Sequence, residues 1–375
     1  MTRRSVVHAA AIVPFAAVRG SAANSAVSVG LIGCGNRGTY LAQTLTEHTQ
    51  ARLTGLCDLY PDSIARAQQK IGRANLAVFR DLEKMLASPV DAVLIATPVF
   101  LHPDHFESAV QARKHVYLEK PAAPDVQGCR RIERIAASAP ASLDLGFGFQ
   151  RRHGQAYLAA RKILESGKLG AIRMASIRFI KAESSNALKS LPTPKTFDEK
   201  VKHWSFWREL SGDLIVENNC HLIDVMNWFL GARPDAASGE GGRTVIRVGD
   251  NRDHGCVTYQ YPGGVHGELN GMTLAPPFHR DVREEFYGAS GYLETSELGW
   301  RYRLSRTEAF EEKSSRNVSI DSVHAFVKRI EESKPQNTIA RGVESSLTAI
   351  LGRLALDLRR PVSWNEMLTS NGWPG

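Results

Sequence analysis

Three glycines between an apolar run and a helical stretch constrain this chain more than any other feature. Residues 27–32 form an unbroken apolar run, Gly33, Gly35 and Gly38 follow it, and residues 40–49 have helical spacing. In such a strand-turn-helix unit the first glycine permits a tight turn. The second lets backbone N–H groups approach a pyrophosphate, and the third lets the helix pack on the strand. The spacing therefore predicts a dinucleotide-binding site at the positive end of the helix.

An acidic residue ends the second predicted strand. Asp58 follows the apolar segment 52–57 and stands about 20 residues after the last glycine of the turn. A carboxylate there can accept both ribose hydroxyls of NAD and would repel a 2′-phosphate, so NAD is predicted in preference to NADP. Two alternatives stay open. Asp58 could be a turn former before Pro61, and Arg37, which follows Asn36 in the glycine turn, could accommodate the phosphate of NADP.

Short apolar segments alternate with helical stretches as far as Gly148. Unbroken apolar runs are typical of strands buried on both faces, and strict β-α alternation predicts a parallel sheet covered by helices. Strands are predicted at 27–32, 52–57, 76–79, 91–96 and 116–119, and helices at 40–49, at 62–71, from 82 and at 105–114. Residues 27–148 are thus predicted to form a Rossmann domain, which makes the fold class α/β.

The pattern changes after Gly148. Segments of alternating polarity separated by Gly and Pro turns predict an antiparallel sheet with one open face, and helices are expected to cover the other face. Strands are predicted at 171–179, 244–248, 256–261, 264–270 and 282–287, and helices at 154–166, 212–230, 321–332 and 343–358. Residues 149–375 are therefore predicted to form an α+β domain that binds substrate.

The first 23 residues differ from the rest of the chain. Arg3 and Arg4 precede a largely apolar stretch at 6–18. This stretch is too short for a membrane-spanning helix, which needs about 20 residues, but it suits an export signal. The paired arginines resemble a twin-arginine signal. We expect export to the periplasm by the twin-arginine machinery, with cleavage after Ala23; a disordered cytosolic extension is the alternative.

Charge and cysteine content exclude other classes of function. The net charge of +8 is mild for 375 residues. The sequence has no long basic run and no basic stripe interleaved with aromatic residues, so nucleic-acid binding is not predicted. The five cysteines show no CxxC or zinc-like spacing, so neither a disulfide framework nor a metal site is predicted.

Residues suited to acid-base chemistry occur at two places. Lys120 follows the predicted strand 116–119, at the edge where open α/β sheets collect ligands, although a surface lysine would fit there as well. Glu217, His221 and Asp224 are spaced i, i+4 and i+7, which places them on one face of a helix. A histidine oriented by a carboxylate can remove a hydroxyl proton near neutral pH, as alcohol oxidation requires. A solvated helix face or a structural histidine explains the same spacing, so both interpretations stay open.

Taken together, these residues resemble the Gfo/Idh/MocA oxidoreductases over nearly everything after residue 27. Besides the glycine turn, the residues on which this resemblance rests are Ala96-Thr97-Pro98 with His102, Glu119-Lys120-Pro121, and Glu217 to His221 with Asp224 and Trp228. The resemblance implies cofactor binding by Thr97, Pro98, His102, Glu119 and Lys120, and assembly into a homo-oligomer through the open sheet face.

The resemblance also implies a catalytic set. Lys120 would orient or protonate the reacting oxygen, His221 would be the general base, and Glu217 would be its acidic partner. Many members have Asp where this chain has Glu217, and many have Asn where Val99 stands. A side-chain contact to the cofactor is therefore not expected from Val99.

Four further residues are candidates for substrate contact. Arg151 and Arg152 follow the last Rossmann strand and could hold substrate hydroxyls or an acid group, with surface arginines as the alternative. Trp204 lies in an aromatic segment and could stack on a sugar ring, although core packing or a subunit contact also explains it. Asp224, on the helix of His221, is the fourth candidate.

The predicted function is hydride transfer between NAD(P) and a secondary hydroxyl group of a sugar, polyol or glycoside. Because free NAD should be scarce outside the cytosol, an exported enzyme is expected to hold its cofactor tightly and recycle it. A redox-assisted glycosidase, which oxidises a sugar, eliminates the aglycone and reduces the intermediate, is the first alternative. A non-catalytic sugar or NAD sensor is the second, but it would have no use for Lys120 beside His221.

Overall fold

The computed structural model describes residues 26–73, 75–182 and 193–374, which form two β-sheets with helices packed on them. The predicted export signal and its cleavage point after Ala23 lie outside the described residues. Among the helices that are described, none combines the length and the apolar character that crossing a membrane requires.

The N-terminal sheet is wholly parallel. Its six strands are β1 (Ser28–Ile32), β2 (Arg52–Cys57), β3 (Ala77–Phe79), β4 (Ala92–Ile95), β5 (His115–Leu118) and β6 (Leu145–Phe147). The helices between them are α1 (Asn36–His48), α2 (Pro61–Ile71), α3 (Leu82–Ala87), α4 (His102–Gln111) and α5 (Val126–Ser138). The strand order β3-β2-β1-β4-β5-β6 is that of a dinucleotide-binding Rossmann sheet. The order reverses between β1 and β4, and the loops that follow these two strands open a crevice.

The second sheet is mostly antiparallel. Its nine strands are β7 (Ile172–Ile180), β8 (Ala236–Gly242), β9 (His254–Gln260), β10 (His266–Met272), β11 (Asp281–Gly288), β12 (Tyr292–Ser296), β13 (Gly299–Arg303), β14 (Ala309–Lys313) and β15 (Val362–Ser363). They follow the order β14-β13-β12-β11-β7-β10-β9-β8-β15. The predicted antiparallel sheet is confirmed except at β7 and β10, which run parallel.

Helices cover one face of this sheet. The helices of the C-terminal part are α6 (Gln155–Glu165), α7 (Phe197–Lys202), α8 (Arg208–Ser211), α9 (Asp213–Glu217), α10 (Cys220–Leu230), α11 (Val318–Glu331), α12 (Ile339–Leu358) and α13 (Trp364–Thr369). Helices α6, α10 and α12 pack on the sheet. Side chains such as Tyr287 and Met272 are exposed on the strands. Oligomerisation through the open face stays a prediction.

The strand predicted at 244–248 is not observed. These residues form no strand, and the strand of this region is β8, which precedes them. The backbone N–H groups of Thr244, Val245 and Ile246 donate to the carboxylate of Asp253 at 2.9 to 3.2 Å. A side chain therefore takes the donors that a strand ladder would need. The glycine-rich β8 pairs with β9 through backbone bonds alone, which polarity patterns do not reveal.

Helix α11 joins the Rossmann core although it lies far along the chain. Its side chains Val323, Phe326 and Val327 are buried with the apolar residues of the first sheet. Tyr117 of β5 meets Phe326 edge to face, with ring centroids 5.6 Å apart, and its hydroxyl lies 2.9 Å from Ser322 Oγ. The boundary near residue 148 separates the two sheets, but the N-terminal core is completed by α11.

We expect Phe326→Ala to lower the free energy of unfolding by about 3–5 kcal/mol, the usual cost of truncating a buried phenylalanine. Phe326 is fully buried, whereas Phe310 on the edge strand β14 is 38% exposed and provides a matched control. Urea denaturation of both variants would measure the difference. Equal losses would contradict the assignment of α11 to the N-terminal core.

Candidate functional site

The glycine turn lies where the parallel sheet reverses its order. Gly33 has a φ of 95°, and a Cβ on it would lie 2.6 Å from the Ala96 carbonyl oxygen. A Cβ on Gly38 would lie 1.9 Å from the Gly33 carbonyl oxygen, whereas a Cβ on Gly35 would meet no heavy atom within 4 Å. Gly33 and Gly38 are therefore required by the packing of the protein itself, whereas Gly35 faces open space that suits a phosphate group.

The residues around the turn fit NAD. Helix α1 begins at Asn36 without a side-chain cap, so its first N–H groups are available to an anion. Asp58, at the end of β2, accepts hydrogen bonds from the backbone N–H groups of Cys34 at 2.8 Å and Tyr60 at 2.9 Å. These bonds hold the carboxylate beside the turn, and each oxygen keeps a lone pair for a ribose hydroxyl.

Arg37 points towards the protein interior. Its guanidinium donates to Glu119 Oε1 at 2.9 Å, to Gln150 Oε1 at 2.6 Å and to Ser319 Oγ at 3.3 Å. Glu119 is only 3% exposed, so its carboxylate needs this cation. Arg37 is thus committed to Glu119, which removes the sequence argument that it accommodates a 2′-phosphate.

Eight of the predicted site residues line one cleft of about 240 Å³ beside the turn. The lining residues are Arg37, Ala96, Thr97, Val99, His102, Glu119, Lys120, Gln150, Trp204, Glu217 and His221. Trp204 therefore lies at the cleft. Gln150 was missed as a site residue, although it stands beside the two arginines that the sequence favoured. Its position shortly after β6 is the sequence signal that could have identified it as a site residue.

Lys120 is anchored by Glu217. Its Nζ donates to the Glu217 backbone oxygen at 2.5 Å and to Glu217 Oε1 at 3.1 Å. Burial is the largest single influence and would lower the pKa of Lys120, but Glu217, Cys220 and Glu119 together outweigh burial and raise this pKa above its ordinary value. The side chain is therefore a positioned ammonium group at neutral pH.

His221 is buried at the same cleft. Its Nδ1 is inaccessible to solvent and has no hydrogen-bond partner among the described residues. Burial lowers the pKa of His221 well below its ordinary value, and the charges of Lys120 and Arg151 lower it further. The imidazole is therefore neutral at pH 7 and can accept a proton.

Among all the residues that the structure describes, no group of three or more His, Cys, Asp or Glu is arranged to hold a metal ion.

The single helix predicted at 212–230 is interrupted. Helix α9 ends at Glu217 and α10 begins at Cys220, because the N–H groups of Asn218 and Asn219 both bond to the Leu214 carbonyl oxygen. This break changes the relation of the three predicted residues. Glu217 and His221 still line the cleft, but Asp224 faces the interior.

Three of the four candidate substrate contacts lie outside the lining of this cleft. Asp224 is fully buried, accepts two bonds from Arg152 at 2.8 Å and a third from Ser345 at 2.8 Å. Arg151 is 2% exposed and donates to the Tyr157 hydroxyl at 3.0 Å. None of Arg151, Arg152 and Asp224 lines the cleft, because each buried charge is compensated within the protein.

His102 connects the two loops that carry the site. Its ring nitrogens lie 2.7 Å from the Pro121 carbonyl oxygen and 3.0 Å from that of Thr97. Burial lowers the pKa of His102 despite these two carbonyls. Pro98 precedes a short 3-10 turn, Val99–Leu101. His102 thus ties the backbone of Thr97 to that of Pro121, the residue after Lys120.

Two family models match this sequence. The NAD-binding Rossmann domain of the GFO/IDH/MocA oxidoreductases matches residues 27–147, and the C-terminal domain of the same family matches residues 157–294. This chain belongs to the GFO/IDH/MocA oxidoreductase family. The resemblance inferred from the motifs is confirmed, while the twin-arginine signal stays a prediction.

Several relatives of this family member are polyol or sugar dehydrogenases by name. Myo-inositol 2-dehydrogenase of Thermotoga maritima is 22% identical, over 91% of this chain and 99% of the relative. Inositol 2-dehydrogenase of Rhizobium meliloti is 25% identical, over 71% and 74%. The structure of scyllo-inositol dehydrogenase from Lactobacillus casei with NAD(H) and scyllo-inositol has a TM-score of 0.73 at 23% identity, over 91% and 99%. Levoglucosan dehydrogenase with NADH and levoglucosan has a TM-score of 0.76 at 18% identity, over 90% and 99%. These structures share the fold of this chain.

Proposed function

We propose that this protein is an NAD-dependent dehydrogenase that oxidises a secondary hydroxyl group of a cyclic polyol or sugar. One observation carries the proposal: a positioned ammonium, Lys120, and a neutral imidazole, His221, line the same cleft beside a dinucleotide-type glycine turn. Bound NAD⁺ would supply the acceptor for the hydride that leaves the substrate carbon. At about 240 Å³ the cleft suits a small substrate.

Lys120 would bind the reacting oxygen. An ammonium has three N–H donors, and Glu217 takes two of them through its backbone and carboxylate oxygens. The third donor is left for the substrate hydroxyl. As that hydroxyl loses its proton, the positive charge stabilises the negative charge that develops on oxygen, and the Lys120 side chain that carries it is only 12% exposed.

His221 would remove the hydroxyl proton. Its Nδ1 is enclosed by protein, so Nε2 is the nitrogen that reaches the cleft. A neutral imidazole with hydrogen on Nδ1 presents a lone pair on Nε2 and can act as the base. Lys120 and His221 together would hold the oxygen and accept its proton, which is the general acid-base arrangement that alcohol oxidation needs.

The named relatives support a cyclic polyhydroxy substrate. Inositols and levoglucosan are ring compounds with several secondary hydroxyl groups, and the proteins named for them are dehydrogenases. The redox-assisted glycosidase and the non-catalytic sensor receive no support from these comparisons.

A substrate panel tests the proposal directly. Purified protein would be incubated with NAD and with myo-inositol, scyllo-inositol, levoglucosan, glucose and aryl glycosides, and the absorbance of reduced nicotinamide would be recorded. We expect NADH to form with at least one cyclic polyol or sugar. Release of aglycone from an aryl glycoside without net NADH would overturn the dehydrogenase assignment.

The pH dependence of kcat/KM should reflect the low pKa of His221. A base whose pKa is depressed keeps its free form as the pH falls, so activity should persist below the ordinary histidine pKa of about 6.5. The raised pKa of Lys120 places loss of the ammonium above about 10.4. We therefore expect kcat/KM at saturating NAD to be flat near neutrality, to fall on acidification below about pH 6.5, and to fall on the alkaline side only above about pH 10.4. An acidic limb centred above that pH would contradict His221 as the neutral base.

We also propose that the cofactor is held tightly, by a segment that crosses the crevice. Phe197 of α7 meets Phe100, in the turn after β4, edge to face at 6.0 Å. Asp198 accepts a hydrogen bond of 2.6 Å from the hydroxyl of Tyr60, in the loop of the ribose carboxylate. Trp204, farther along, lines the catalytic cleft. A segment held in place by these contacts would slow the release of NAD. An exported enzyme requires such slow release.

Removing the aromatic contact should speed NAD release. We expect Phe197→Ala to raise the dissociation rate of NADH about tenfold, since an aromatic pair contributes about 0.5–1.5 kcal/mol beyond its burial. Leu298→Ala is the control, because Leu298 is 74% exposed in the turn between β12 and β13. Stopped-flow fluorescence of bound NADH would measure both rates. An unchanged rate in Phe197→Ala would contradict the retention proposal.

A further inference from the structure

A second and larger concavity lies away from the catalytic cleft. It has a volume of about 1030 Å³ and is formed by helices α5, α12 and α13 and by the loop after α10. It has no lining residue in common with the 240 Å³ cleft. The proposed dehydrogenase chemistry makes no use of this groove.

Four arginines line the groove, namely Arg130, Arg134, Arg233 and Arg341. Across the described ranges, none of them lies within 4.0 Å of a carboxylate oxygen. Arg131, which is the neighbour of Arg130 but lies outside the groove, pairs with Asp104 and Glu107 instead. The groove therefore concentrates guanidinium groups whose charge the protein does not compensate directly.

The charged groups around Arg341 also indicate an excess of positive charge in the groove. Burial lowers the pKa of Arg341, and the positive charges of Arg152 and Arg329 lower it further, while the carboxylate of Asp224 opposes them only in part. The carboxylates nearest to these two neighbours are already engaged, because Arg152 is bonded to Asp224 and Arg329 to Asp144. An anion in the groove would relieve this excess of positive charge.

The other residues that line the groove indicate which chemical groups a ligand would need. Glu133 and Glu344 also line the groove, and their carboxylates accept no hydrogen bond from the side chains or backbone that the structure describes. They would accept bonds from hydroxyl groups. Leu347 contributes apolar surface, and Trp364 supports Arg233, whose guanidinium lies 4.3 Å from the ring centroid. A guanidinium over an aromatic ring has fewer orientations available, which favours bidentate binding of a carboxylate or phosphate.

We propose that this groove is a binding site for an anionic sugar that carries two or more carboxylate or phosphate groups. Arg130 and Arg134 lie one helical turn apart and would bind one anionic group. Arg233 and Arg341 would bind another, while Glu133 and Glu344 accept sugar hydroxyls. The volume is at the upper end of the range for small-molecule pockets, which suits a di- or trisaccharide or a sugar bisphosphate better than a single inorganic ion.

Calorimetric titration of the full chain, saturated with NAD, tests the proposal. The probes are trigalacturonate, which carries carboxylates, fructose 1,6-bisphosphate, which carries phosphates, and neutral maltotriose. We expect saturable binding of one molecule per chain for at least one anionic probe and none for maltotriose. Arg134→Gln and Arg341→Gln should each weaken that binding tenfold or more. Arg131→Gln is the matched control and should leave it unchanged.

The anionic probe that binds more tightly identifies the anionic group. Absence of binding by both anionic probes would overturn the proposal, as would binding that survives unchanged in Arg134→Gln and Arg341→Gln. Saturation with NAD keeps the phosphates of fructose 1,6-bisphosphate away from the glycine turn. Because the groove and the catalytic cleft are separate, a negative result here leaves the dehydrogenase assignment intact.

Discussion

Replacing Lys120 with alanine is expected to lower kcat by about 10³-fold while NAD still binds. Lys120 is the one lysine among the described residues that line the cleft, and in the proposed mechanism its charge would face the oxygen whose proton is removed. Its loss removes an interaction that strengthens as the oxygen becomes negative, so kcat should fall more than KM rises. Steady-state kinetics with the substrate found in the panel, together with NADH titration, would measure both effects.

Two comparisons make this test specific. Lys84→Ala removes an exposed lysine of α3 in the same domain and should leave kcat unchanged. His221→Ala should lower kcat about 10²- to 10⁴-fold, as expected for loss of a general base. If either Lys120→Ala or His221→Ala retained full activity, the proposed mechanism would be wrong.

Gly38→Ala and Gly35→Ala should separate folding from cofactor binding. A Cβ on Gly38 would overlap the Gly33 carbonyl oxygen at 1.9 Å, so we expect a loss of about 3 kcal/mol or more in unfolding free energy. Gly35 has a φ of −70° and open space where its Cβ would point. Gly35→Ala should therefore keep the stability within about 0.5 kcal/mol but weaken NAD binding about 100-fold, because the methyl group occupies the place of the pyrophosphate.

Urea denaturation and NADH titration of the two variants provide the measurements. The matched pair matters because both changes add one methyl group to the same turn. NAD affinity equal to that of the unsubstituted protein in Gly35→Ala would show that the phosphates do not approach this glycine. An unchanged stability in Gly38→Ala would contradict the close contact between α1 and the end of β1.

The parts of the site that the sequence predicts are those formed by local chemistry. The glycine turn occupies one continuous segment, and its three glycines obey steric rules that hold in any strand-turn-helix unit. Lys120 stands at the end of a strand, so the parallel sheet alone places it beside the turn. For Glu217 and His221, the family resemblance was the signal that placed them in the cleft, because the helix on which their spacing was counted is interrupted between them.

The parts that the sequence does not predict depend on side-chain partners outside the segment in question. Nothing in the segment around Asp224 indicates that Arg152, far away in the sequence, forms a buried ion pair with it. The carboxylate of Asp253 takes the N–H groups of residues 244–246, which the alternation of polarity at 244–248 does not reveal. In both cases a side-chain hydrogen bond overrides a local pattern.

The return of α11 to the first sheet has a consequence for how the protein is made. Synthesis proceeds from the N-terminus, and domains commonly fold as they emerge. Here the Rossmann sheet emerges early, but Val323, Phe326 and Val327 of its core lie far along the chain beyond its last strand, β6. The NAD-binding half of the molecule therefore cannot close its core until α11 has been synthesised. We expect stable loading of the cofactor to follow the synthesis of α11.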